Sequence, residues 1–183
     1  MKKLICAFCM VIGLQVQAGE ISVAVSQTSV DIGDVISLTL SGTALDSFDT
    51  FGLDILFDTS LFAVSSGVFD YPATGVATDL WLDSLFFSSL SNGVAASFAD
   101  FATYSGDLLL ARFELTAIAA GYSSFSVANV EFYDSLVSVT DTLNVTTASD
   151  VSATVAAVSE PSMLVLFLLA GVALLGRNTK ISG

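Results

Sequence analysis

The chain of 183 residues carries 18 aspartates and glutamates against five lysines and arginines, has no histidine, and bears a formal charge of −13. That charge excludes nucleic acid as a partner, because binding its phosphates takes cationic side chains. The lack of histidine removes Ser-His and Cys-His nucleophile pairs, and with them histidine-bearing zinc and haem sites.

The N-terminus has the layout of a secretory signal peptide. Lys2 and Lys3 form a positive start, residues 4–14 are apolar, and Val16-Gln17-Ala18 is a small-residue cleavage pattern. Cleavage is expected between Ala18 and Gly19. Cys6 and Cys9 lie within this segment, so the chain from Gly19 onward has neither disulfide nor thiol chemistry. A lipoprotein would need a cysteine directly after the apolar run, and neither stands there.

Residues 19–159 suit one domain with its own core. They hold seventeen acidic side chains against the single base Arg112, a charge of −16, which keeps an exported domain soluble and disfavours anionic lipid. Apolar residues recur here with period two, the mark of strands with one buried face. Ile21, Val23 and Val25 open the series, followed by Ile36, Leu38 and Leu40, and then by Phe51, Leu53, Ile55 and Phe57. Val94, Ala96 and Phe98 precede the longest alternation, Leu109 to Ala117. Phe125 and Val127 are out of step with Val130 and Phe132, which predicts a bulge or turn at Ala128-Asn129. Leu143 with Val145, and Val151 with Ala153 and Val155, supply the last strands. Turn residues separate the runs at Asp31-Ile32-Gly33-Asp34, Asp58-Thr59-Ser60, Ser91-Asn92-Gly93, Ser105-Gly106-Asp107 and Gly121-Tyr122-Ser123. The pattern predicts an antiparallel β-sandwich. Residues 78–90 also fit a short helix, and no long repeat is visible.

Few groups in this segment offer chemistry. It lacks lysine as well as cysteine and histidine, so Schiff-base catalysis is excluded too. Paired carboxylates could hydrolyse a glycoside, but no cleft signature accompanies them, and the domain reads as non-catalytic. Two readings are open for the loop aspartates. Asp31 with Asp34, or Asp46, Asp49, Asp54 and Asp58, could hold calcium through oxygen ligands, although their spacing is not that of an EF-hand. Alternatively they are turn formers, since aspartate bonds its own backbone. Trp81, Tyr71, Tyr104, Tyr122 and Tyr133 are candidate sugar-stacking rings. Trp81 is expected to cap the core in preference to facing a ligand, whereas Tyr133 shares the period of Glu131 and is expected outside. Asn144-Val145-Thr146 matches a glycosylation sequon, read here as an ordinary strand segment.

Ser159-Glu160-Pro161-Ser162 leads into an uncharged apolar run, residues 163–176, followed by Arg177 and Lys180. As a helix this run would enter lipid with its basic tail in the cytoplasm, though it is short against the roughly 20 residues usual for a span. The ending resembles the PEP-CTERM sorting signal of Gram-negative bacteria, a Pro-Glu-Pro motif before a hydrophobic helix and a basic cluster. Ser159 stands where the first proline belongs, and the basic cluster is thin. The resemblance implies an exosortase-like processing enzyme as partner, with Pro161 part of a substrate. It also implies a transient inner-membrane stage before arrival at the cell surface or outside.

Three internal segments together resemble the cohesin family. They are Ser29-Val30-Asp31-Ile32-Gly33-Asp34-Val35, the run from Gly52 through Asp58-Thr59-Ser60 to Leu61, and the stretch from Phe113 to Ala119-Ala120-Gly121-Tyr122-Ser123. Each motif alone is common in sandwiches; their order and spacing carry the likeness. It implies an all-β jelly-roll sandwich of about nine strands, related in architecture to carbohydrate-binding modules. The expected division is signal peptide 1–18, cohesin-like sandwich 19–157 and sorting signal 158–183. The expected function is that of an exported, non-catalytic surface or matrix protein associating with extracellular polysaccharide or a dockerin-like protein. The alternative is a dedicated carbohydrate-binding module. No ligand-binding residue is carried over from the family.

Overall fold

A computed structural model describes residues 19–135, 145–147 and 151–157. The signal peptide with Ala18, Leu143, Asn144 of the sequon, the motif 159–162 and the apolar run 163–176 lie outside the described residues. Ten strands and one 3-10 turn follow in order: β1 Gly19–Val25, β2 Ser29–Asp31, β3 Val35–Leu56, β4 Phe62–Val64, β5 Val76–Ala77, the 3-10 turn Leu82–Ser84, β6 Leu85–Leu90, β7 Gly93–Ala117, β8 Gly121–Tyr133, β9 Val145–Thr147 and β10 Val151–Ala156. Among the described residues there is no α-helix, and no helix long and apolar enough to cross a membrane.

The architecture follows from two long strands that each serve both layers. The first half of β3 pairs with β1 and with the second half of β7, which also takes β4 and β5; β9 extends this layer beyond β1. The second half of β3 pairs with the first half of β7 and with β8; β6 lies beyond β7, and β10 and β2 lie beyond β8. The expected sandwich is present, with two differences. The β1–β9 and β2–β10 pairs are parallel, whereas the alternation predicted antiparallel pairing throughout. The runs around Ile36 and Phe51, and those around Phe98 and Phe113, are not separate strands. They join because the bends in β3 and β7 stay paired, Leu45 with Gly106 and Phe48 with Tyr104, through a series of register shifts. Ala44 at φ 49° and Gly106 at φ 85° turn the two chains together, so no ladder has to break.

The predicted irregularity at Ala128-Asn129 is a bulge. Asn129 has φ 50°, the register with β3 shifts between Gly52 and Asp54, and the Asn129 amide donates to Asp54 Oδ2 at 2.6 Å. The helical alternative for residues 78–90 gives way to the single 3-10 turn and β6. Antiparallel pairing of β6 with β7 across the tight Ser91-Asn92 turn outweighs the local preference.

Inward positions of both layers build one core. Phe48, Phe51, Phe98, Phe132 and Tyr104 form an aromatic cluster at the bends, while Phe57 and Phe62 meet Phe125 at the opposite end. Among the described residues three polar side chains are buried with them, Asp49, Ser123 and Asp134. Asp49 accepts hydrogen bonds from the Ser135 amide and hydroxyl and from the Thr50 hydroxyl, and Asp134 accepts from Ser47 at 2.7 Å. Burial pushes the Asp49 carboxyl up, but the donors from Ser135 and Thr50 outweigh it and hold it below its ordinary value. The carboxylates thereby tie the β3 bend to the end of β8.

Candidate binding surface

The second layer presents an outer face whose central positions are small residues, and the strand register lays them side by side. Outward residues fall into rows: Glu131, Gly52, Ser97 and Phe86; then Ala128, Asp54, Ala95 and Ser88; then Ser126, Leu56 and Leu90, with the buried Gly93 between the last two. Glycine, alanine and serine dominate the middle of these rows, so little rises above the backbone there. Gly52 has open space where a Cβ would lie. Asp54 and Glu131 place carboxylates on the same face.

One edge of this face carries rings. Phe86 of β6 is 49% exposed and stacks on Tyr71, itself 68% exposed, with centroids 5.3 Å apart and planes within 4°. Trp81 immediately precedes the 3-10 turn and is 60% exposed, so it does not cap the core as expected. The core is closed there by Leu80 and Leu85, which flank the exposed turn. The opposite face, built from β1, the first half of β3 and the second half of β7, offers Ser22, Thr39, Arg112 and Glu114 and no exposed ring.

The remaining candidate residues are dispersed. Asp31 and Asp34 hold their own turn, the Asp31 amide donating to Asp34 Oδ2 at 3.0 Å. Asp58 Oδ1 accepts from the Ser60 amide and hydroxyl at 2.8 and 2.6 Å, which holds its carboxyl below the usual range. Among the described residues no three histidine, cysteine, aspartate or glutamate side chains gather as a metal site. Tyr104 is half-buried against Phe48 and Phe98 and donates to Asp100 Oδ2 at 3.0 Å; burial and that bond raise its pKa. Tyr133 is half-buried and donates to Glu131 Oε2 at 3.1 Å, a bond that raises its pKa. Phe86 escaped the sequence reading because in Leu85-Phe86-Phe87 the outward ring sits between two inward residues. Only the register with β7 shows which one faces out.

No known protein family matches the chain in sequence, and neither does any curated protein. Solved structures do resemble it. A non-cellulosomal cohesin from the hyperthermophilic archaeon Archaeoglobus fulgidus matches with a TM-score of 0.58 at 16% identity, over 82% of this chain and 98% of that one. A type II cohesin domain from the cellulosome of Acetivibrio cellulolyticus matches at 0.58 and 12%, over 75% and 95%. A type I cohesin–dockerin complex from Clostridium thermocellum matches at 0.52 and 13%, over 77% and 95%. The fold is therefore that of a cohesin-like β-sandwich, and the Clostridium thermocellum neighbour is one seen in complex with a dockerin. On this fold the chain carries a net-acidic composition and the exposed Tyr71–Phe86 pair.

Proposed function

We propose that the protein is an exported, non-catalytic surface or matrix protein whose cohesin-like sandwich docks a protein partner on the outer face of its second layer. The observation that carries this is the flat, registered face with the stacked Tyr71–Phe86 pair at its edge. Aromatic anchors beside small, shape-tolerant positions are where binding energy concentrates in protein interfaces. The dockerin bound in the Clostridium thermocellum neighbour supports a dockerin-like partner. Asp54 and Glu131, within a domain of charge −16, favour one that presents lysine or arginine.

Titration calorimetry against dockerin-like modules of the source organism tests this. Phe86→Ala is expected to weaken binding about 30-fold, the scale of a hot-spot truncation. Ser97→Arg, in the middle of the face, is expected to abolish it, and Thr39→Arg on the opposite face to leave it unchanged. Loss of binding with Thr39→Arg but not with Ser97→Arg would put the interface elsewhere.

Around this module the two ends supply routing. Residues 1–18 act as a signal peptide cut between Ala18 and Gly19. Residues 158–183 act as a PEP-CTERM-type signal in which Ser159, Glu160, Pro161 and Ser162 are presented to an exosortase-like enzyme while residues 163–176 hold the chain in the inner membrane. Release then delivers the domain to the cell surface or the extracellular polysaccharide. Intact-mass analysis of surface protein is expected to show a chain that begins at Gly19 and has lost residues 163–183. Recovery of the tail in mature surface protein would overturn the sorting scheme.

A further inference from the structure

A second site lies at one end of the sandwich, where the turn after β3, the β6–β7 turn and the start of β8 meet around a depression of about 360 Å³. Its floor is rigid. The Phe57 amide donates to the Asn92 carbonyl at 2.9 Å, the Asp58 amide to the buried Ser123 hydroxyl at 3.0 Å, and the Thr59 hydroxyl to the Ser91 carbonyl at 2.9 Å. Phe57 packs on Phe125 beneath, with ring centroids 5.8 Å apart. The walls, by contrast, are chemically unspent. The Asn92 amide, the Ser124 and Ser126 hydroxyls and the Tyr122 phenol line or flank the depression without a hydrogen-bond partner among the described residues. Asp58 commits only Oδ1, to Ser60, and leaves Oδ2 as an acceptor. Tyr122 is 65% exposed and offers a ring at the rim.

We infer that this depression binds one or two units of a neutral saccharide, its Tyr122 ring against the apolar face of a pyranose and Asp58, Asn92, Ser124 and Ser126 paired with ring hydroxyls. Its volume is at the small end of the roughly 300–1,000 Å³ of ligand pockets, enough for a short oligosaccharide terminus. A carboxylate and uncommitted hydroxyl and amide groups suit vicinal hydroxyls, which both donate and accept. No cation lines the site, and the Asp58 carboxylate repels acids, so phosphate, sulfate and uronic acids are excluded. The inference does not rest on protein docking, although Ser126 and Leu56 also form the last row of that face.

The test is titration of the purified full-length chain, followed by NMR or calorimetry, with neutral gluco-, galacto-, manno- and xylo-oligosaccharides and with oligogalacturonate as the acidic comparison. At least one neutral series is expected to saturate, and oligogalacturonate not to. Tyr122→Ala and Asn92→Ala, which remove exposed, unbonded side chains, are expected to weaken that binding at least 10-fold with the melting temperature unchanged. Trp81→Ala and Ser97→Arg are expected to leave it intact. Failure of every neutral series to saturate, equal binding of oligogalacturonate, or wild-type affinity in Tyr122→Ala would each overturn the inference.

Discussion

Gly93→Ala is expected to cost about 3–5 kcal/mol of folding stability, combining overpacking with backbone strain. A Cβ on Gly93 would stand 2.0 Å from the Ile55 carbonyl oxygen and 2.9 Å from the Leu56 Cα. Both are backbone atoms of the neighbouring strand, so no side chain can rotate to relieve the contact. The conformation compounds this, because φ at Gly93 is +153°, a region that L side chains rarely adopt. The residue closes the β6–β7 turn and pairs with Leu56 and Leu90, so displacing it parts three strands at once. The measurement is a urea melt in which the midpoint falls while the slope is retained. Gly52→Ala is the control. It lies in the same layer with nothing within 4 Å of the added carbon, and is expected to change stability by less than about 0.5 kcal/mol. Equal melts for the two variants would show that the close approach is absent in solution.

Phe48→Ala is expected to destabilise by a similar amount, about 3–5 kcal/mol, for a different reason. The ring is fully buried at the bend of β3. It meets Phe132 edge-on at 4.9 Å, Phe51 at 6.1 Å, Phe98 at 6.5 Å and Tyr104 at 6.0 Å. These neighbours come from β3, β7 and β8, so truncation leaves a cavity that none of them can fill without leaving its own strand. For a domain of this size the melting temperature should fall by on the order of 10 °C. Phe101→Ala, at a fully exposed ring in the β7 bend, should melt as the unaltered protein does. A Phe48→Ala melt indistinguishable from that of Phe101→Ala would mean that the aromatic cluster does not close the bend.

The inward faces of the strands can be traced to the alternation of Ile36, Leu38 and Leu40 and of Leu109 through Ala117, because inward positions in a half-buried strand are set by period two. The out-of-step pairs Phe125, Val127 and Val130, Phe132 located the bulge at Asn129 for the same reason. Four things were not legible. The continuity of β3 and β7 depends on two bends that pair with each other across the sheets, and a turn signal such as Ser105-Gly106-Asp107 reads the same whether the ladder continues or stops. The parallel edge pairs join segments far apart in the chain and leave no local pattern. Of the binding surface, Tyr71 and Trp81 stood out as rings, but Phe86 acquires its place only through its cross-strand partner Ser97. The Asp58 depression likewise comes from three turns that only the folded sandwich brings together.

Arg112, the lone cation of residues 19–159, sits in the second half of β7 between Thr39 of β3 and Ala77 of β5, its Nε donating to Thr39 Oγ1 at 3.3 Å. A trypsin-like protease therefore has one point of attack in the whole domain, and it is a strand bonded on both sides. Cutting there requires β3 and β7 to separate, which is the opening of the sandwich itself. Cleavage by such an enzyme thus counts unfolded molecules, not frayed loops. Survival of the domain against such an enzyme is then a direct readout of its folding equilibrium.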